Sequence, residues 1–164
     1  MLANHSSVQV APDFEARYPD ASARATECAM SLVFTADLLV KRIARLLQPF
    51  DLSPASGLVL SIVADAESPL QPHEIATRLI ISRATVTGLV DSLERRGYVR
   101  RCPHQSDRRM LLVELTDTGR QVANAFRPIV HHQQHLWMGV LGDEEQQRLI
   151  DSLHRVQAAL AIDS

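Results

Sequence analysis

Aromatic residues make up only 4% of this 164-residue chain, so its core has to be built from Leu, Val, Ile and Ala. Cysteine is nearly absent too. Cys28 and Cys102 cannot supply a disulfide framework, and the expected compartment is the reduced cytoplasm. No apolar run approaches the ~20 residues of a membrane span, and the longest candidate, Met30 to Val40, is interrupted by Asp37. The first residues lack the basic-then-apolar layout of a secretory signal. Membrane and secreted classes are therefore not expected. Lysine is scarce as well: sixteen of the seventeen basic residues are arginine, whose planar fork suits phosphates and base edges better than a point charge does. What remains is 46% hydrophobic and 22% charged, ordinary for one globular domain.

The net charge of −2 argues at first against a polyanionic partner, but the charges are unevenly placed. Between Ser82 and Met110 stand Arg83, Arg95, Arg96, Arg100, Arg101, Arg108 and Arg109 against Asp91, Glu94 and Asp107. That segment is +4 and the rest of the chain is −6. A basic island on an acidic body is a local electrostatic footprint for nucleic acid.

Hydrophobic periodicity organises the chain. Residues 1–22 carry Pro12 and Pro19 without sustained pattern and read as a flexible N-terminal arm. From Ala23 to Gln48 apolar residues recur at three- and four-residue steps, predicting a long helix that Pro49 ends. Ser53-Pro54 opens a second helix, running to about Ala66, as N-cap and first helical residue. Ser68-Pro69-Leu70 is a short extended piece, and Pro72 restarts a helix bearing Ile75, Ala76 and Leu79. Ser82 caps the next, whose Val86, Leu89, Val90 and Leu93 fall at i, i+3, i+4 and i+7, with Gly97 at its end. Tyr98–Cys102 and Met110–Leu115 read as a β-hairpin. Thr116 caps a long helix expected to bend at Pro128, and Asp143 with Gln146 suggests a capping box for the last one.

The expected fold is thus mainly α with a small β-wing: a winged helix-turn-helix over 53–115, flanked by helices over 23–52 and 116–164. The flanking helices carry apolar stripes (Leu38, Ile43, Leu47; Leu149, Leu153, Val156, Leu160) too extensive for one small core, so an obligate homodimer is expected.

The helix from Arg83 to Arg96 presents Ala84, Thr87, Gly88, Asp91 and Arg95 opposite its apolar side. Its first half is small and uncharged there. Glycine in a helix interior costs about 1 kcal/mol against Ala, and close approach to another surface is a reason to accept it. A major groove is such a surface, where Ala84, Thr85 and Thr87 can meet base edges and thymine methyls while Ser82 and Arg83 meet a phosphate at the helix N-terminus. At the hairpin turn, Arg108 and Arg109 have the chemistry of minor-groove insertion, and Asp107 suits an orienter of an arginine. Neutral drift at Gly88 and a solvated polar turn remain the alternatives.

The run L-Q-P-H-E-I-A-T-R-L-I-I-S-R-A-T-V-T-G-L-V-D-S-L-E-R-R-G-Y-V-R-R, followed by D-R-R-M-L-L-V-E-L-T-D-T-G, resembles the MarR family of bacterial winged helix-turn-helix regulators. The resemblance is tight from Leu70 to Gly119. It implies a homodimer with interlocked terminal helices, recognition helices in successive major grooves of an inverted-repeat double-stranded DNA operator, and wings in the flanking minor grooves. It also implies repression relieved by a small-molecule effector or an oxidant. Many members carry a larger, often basic side chain where this chain has Gly88.

Other constellations fail. His73-Glu74-Ile75-Ala76-Thr77 has Thr where a zinc protease needs its second His, and no phosphate loop or nucleophile elbow is present. The chain does not read as an enzyme and calls for no cofactor. His131, His132 and His135 share a helical segment without an identifiable third metal ligand, so a solvated or dimer-facing cluster is favoured. Cys28 has only Arg24 as a cation within a turn, which favours a buried structural thiol over a redox sensor. A thiol-based redox regulator using Cys28, and a winged-helix module that binds protein instead of DNA, are the competing functions.

Overall fold

The computed structural model describes residues 8–104 and 110–162. Described this way, the chain is mostly helical with one two-stranded antiparallel sheet, the fold class expected. It divides into two compact units, Met1–Leu58 and Val59–Ser164.

The first unit is built on α2 (Ala23–Leu47), capped by Ser22, whose Oγ accepts the Ala25 N–H at 3.3 Å. Before it, residues expected as an unstructured arm contain the single turn α1 (Phe14–Arg17). Carboxylates hold this stretch: Val10 N–H donates to Glu27 Oε1 at 3.0 Å, and Ala23 N–H to Glu15 Oε1 at 3.0 Å. A 3₁₀ turn over Gln48–Phe50 follows, placing Pro49 where its missing N–H is harmless. Asp51 closes it in the left-handed region (φ +54°), which Asp tolerates. Leu47, expected in an intersubunit stripe, is instead buried within the chain, tightly against Gly57. The stripe therefore loses its last member to local packing.

α3 (Pro54–Ala64) spans the division between the units, with its cap provided by Ser53 Oγ accepting from Ser56 N–H at 3.1 Å. In the second unit follow α4 (Pro72–Leu79), α5 (Arg83–Arg95), strands β1 (Val99–Pro103) and β2 (Leu111–Leu115), then α6 (Asp117–Met138) and α7 (Asp143–Ile162). Their aliphatic side chains form the core: Leu60, Ile75, Val86, Val90, Leu93, Val99 and Val113 are fully buried. β1 and β2 pair in register from Val99↔Leu115 to Pro103↔Leu111. The extended piece before α4 adds a bridge to the hairpin, with Leu70 and Val113 exchanging N–H···O bonds of 3.0 and 2.7 Å.

The L-T-D-T-G run ties the hairpin to α6. Thr116 Oγ1 accepts from Gly119 N–H at 3.0 Å and donates to the Gly97 carbonyl at 2.5 Å, while Thr116 N–H donates to the Tyr98 carbonyl at 3.1 Å. α6 continues through Pro128 as one helix. The cap of α7 sits one residue earlier than expected: Gly142 N–H donates to Glu145 Oε2 at 2.9 Å, and Gln146 instead donates to the Met138 and Leu141 carbonyls. Among the described residues, no single helix is long and apolar enough to cross a membrane.

Candidate nucleic-acid interface

α4 and α5 form the helix-turn-helix, joined by Ile80, Ile81 and Ser82. Ser82 Oγ accepts the Thr85 N–H at 3.1 Å and lies 2.8 Å from Thr85 Oγ1, so the first turn of α5 is closed by its own hydroxyls. Val86, Val90 and Leu93 are buried, while Ser82, Arg83, Ala84, Thr85, Thr87 and Gly88 are exposed. The anticipated outer face is therefore presented to solvent. Thr87 Oγ1 donates to the Arg83 carbonyl at 3.0 Å. A Cβ built on Gly88 meets nothing within 4 Å. Packing within the chain gives no reason for glycine there.

The turn itself is strained. Ile80 adopts φ +54°, a left-handed conformation that a β-branched side chain disfavours, and is 72% exposed. Nothing in the local pattern signalled this, because the run Leu79-Ile80-Ile81 reads simply as apolar.

The arginine island is less free than its count suggests. Arg100 pairs across the hairpin with Glu114, Nε to Oε1 at 2.6 Å, and this hydrogen bond, then the carboxylate's charge, raises its pKa. Arg101 reaches back to α5 instead. Its guanidinium contacts Asp91 Oδ1 at 2.5 Å and Glu94 Oε2, and its backbone N–H donates to Glu94 Oε1 at 3.0 Å. Partial burial opposes the charged form of Arg101, but the hydrogen bonds to Asp91 and Glu94 outweigh it and the net pKa is raised. This clamp was missed in the sequence; its only signal is an acid pair three residues apart, followed after one turn by an arginine pair. Asp107, Arg108 and Arg109, the expected wing contacts, lie outside the described residues.

Cys28 is exposed, contrary to the buried thiol expected, because the N-terminal half of α2 packs little of its surface within its own unit. Cys102 is half-buried on β1; burial, then the Glu114 charge, push its thiol pKa up, and Arg100 only partly opposes this. His131, His132 and His135 are exposed, with His131 Nδ1 3.2 Å from Gln134 Oε1. No group of three or more His, Cys, Asp or Glu among the described residues could hold a metal ion.

Residues 50–110, which contain α3, α4, α5 and β1, match the model of the MarR family. This central segment resembles the MarR family. The HTH-type transcriptional repressor YetL of Bacillus subtilis is 34% identical over 103 residues, covering 62% of each chain. The chain spans between about half and three-fifths of the length of the curated relatives it first matches. Among solved structures, the S. aureus MepR–DNA complex superposes with a TM-score of 0.75 at 21% identity, covering 80% of this chain and 96% of that one. CouR from Rhodococcus jostii RHA1, bound to p-coumaroyl-CoA, gives 0.74 at 23% identity, covering 83% and 95%. At these identities the likeness is one of fold.

Proposed function

We propose that this chain is a MarR-family, sequence-specific transcriptional regulator that binds double-stranded DNA as a homodimer, represses, and is released by a small-molecule effector. The observation that carries the reading is α5: a helix seated by three buried aliphatic residues, with Ala84, Thr87 and Gly88 exposed opposite them and Arg83 in its first turn. A helix of that surface fits a major groove, with its N-terminus against a phosphate. Arg108 and Arg109, oriented by Asp107, are the proposed minor-groove contacts.

The proposed dimerisation regions are 23–52 and 116–164. α2 leaves Val33, Phe34, Leu38 and Val40 exposed. α6 and α7 leave Leu136, Ile150, Val156 and Leu160 exposed. Apolar side chains in such number call for a partner surface. The relatives and structural neighbours support the rest: YetL is a repressor, MepR was solved with DNA, and CouR with p-coumaroyl-CoA. The cytoplasm is the proposed site of action.

The test incubates the full chain with a pool of random-sequence DNA duplexes and sequences the retained fraction. Enrichment of an inverted repeat with half-sites about one helical turn apart is expected. A pool that stays random, with the chain folded, rejects the reading and leaves the protein-interaction module.

A further inference from the structure

We propose that Arg101 is a resident counter-ion for the reading face of α5, offsetting one of the two charges that Asp91 and Glu94 carry so that an acid-bearing helix can lie against DNA. The inference rests on the DNA-binding reading above. Asp91 follows Gly88 by three residues and Ala84 by seven, so it lies on the same side of the helix as the exposed small residues. A carboxylate there faces the phosphates of any groove the helix enters. The Asp91 and Glu94 side chains keep 49% and 37% of their surface exposed, so their charge is not hidden by burial. It is half offset by Arg101, only 22% exposed, whose guanidinium bridges both carboxylates while its own N–H fixes Glu94 from the strand backbone. A guanidinium held by two carboxylates on one side is a poor candidate for a phosphate contact of its own. Its work is positioning and partial neutralisation: it holds both acids against the wing strand and halves their repulsion of the approaching polyanion.

The test measures affinity for a duplex enriched by the full chain, by fluorescence anisotropy, with circular dichroism and thermal melting to show the fold. Arg101→Ala unmasks two carboxylates near DNA and is expected to weaken binding about tenfold. The triple variant Arg101→Ala, Asp91→Asn, Glu94→Gln is expected to return to within about threefold of the parent. That rescue separates masking from a mechanical role, because the triple variant breaks the clamp completely. Asp91→Asn alone, which leaves Arg101 paired with Glu94, is expected to tighten binding, and it keeps the test decisive should Arg101→Ala fail to fold. Unchanged affinity for a folded Arg101→Ala, a triple variant as weak as the single, or weaker binding by Asp91→Asn would each overturn the proposal. A parent chain that enriches no duplex overturns the DNA-binding reading itself, and this inference with it.

Discussion

A Cβ added to Gly119 would stand 1.8 Å from the Tyr98 carbonyl oxygen and 2.7 Å from its carbonyl carbon. The first turn of α6 therefore rests directly on the peptide that leads into β1, at a spacing only glycine permits. No flexible side chain can yield there, since both obstructing atoms are backbone. Gly119→Ala is expected to cost about 4 kcal/mol or more, in the range reserved for a forced backbone shift. Urea denaturation should show the loss as a lower midpoint or as failure to accumulate folded protein. A midpoint within error of the parent would mean that α6 and the hairpin are not joined in this way.

Gly88 is the opposite case. Its Cβ position opens into empty space, so Gly88→Ala should raise stability by about 1 kcal/mol through helix propensity alone. Gly88→Leu should also fold, yet abolish or redirect operator binding by filling the groove-facing surface. If Gly88→Leu binds the parent's duplex as well as the parent does, this face of α5 does not read DNA.

The two glycines show what was legible in the sequence. The helix-turn-helix and the hairpin followed from side-chain period, from Ser82 and Thr116 as caps, and from Gly97, which takes φ +71° at the end of α5. Such signals act over three or four residues, within the reach of local pattern. The Arg101 clamp joins residues seven and ten positions apart and exists only because β1 runs back along α5. The burial of Leu47 likewise depends on Gly57, beyond a 3₁₀ turn. Charge counting found the arginine island but could not tell which arginines the fold would neutralise.

Ile80 offers a test of strain with little packing at stake. Its left-handed backbone (φ +54°) costs a β-branched residue about 1–2 kcal/mol, and its side chain is mostly in solvent. Ile80→Gly relieves that cost while raising the entropy of the unfolded chain, for an expected net gain of about 1 kcal/mol. The urea midpoint should rise at unchanged slope. A lower midpoint would show that the exposed isoleucine contributes contacts outweighing its strain.

Cys102 should be a slow thiol with a shifted pH profile. Burial, then the charge of Glu114, favours its protonated form, and the thiolate is the species that reacts. In a Cys28→Ser background, alkylation of Cys102 should lag behind an unhindered thiol at pH 8 and keep accelerating above the ordinary thiol range. Because the folded pKa is raised, the associated stability is present below the unfolded thiol pKa and is lost as pH climbs through the folded one. Glu114→Gln removes the second cause and leaves burial opposed by the Arg100 charge, so alkylation at pH 8 should quicken and the alkaline loss of stability should shrink. Unchanged alkylation in Glu114→Gln would assign the shift to burial alone.

The most discriminating prediction concerns two arginines of equal charge. Arg109 follows Asp107 by two residues in the segment between β1 and β2, and its assignment to a minor groove comes from the sequence. Arg120 is exposed in the first turn of α6. Arg109→Ala should weaken operator binding by roughly 1–3 kcal/mol, the value of a specific contact, whereas Arg120→Ala should change it little. The loss should be greatest on operators with A·T-rich flanks, since a narrow minor groove concentrates negative potential. If Arg109 also neutralises a phosphate, the slope of log affinity against log salt should fall by about one. Asp107→Ala supplies the decisive sign. Simple electrostatics predicts that deleting an acid beside DNA tightens binding, as expected for Asp91→Asn on the recognition helix. An orienting carboxylate predicts the reverse, because the arginine it holds loses its aim. Weaker binding by Asp107→Ala therefore supports an ordered wing contact, and tighter binding would reduce the wing to charge alone.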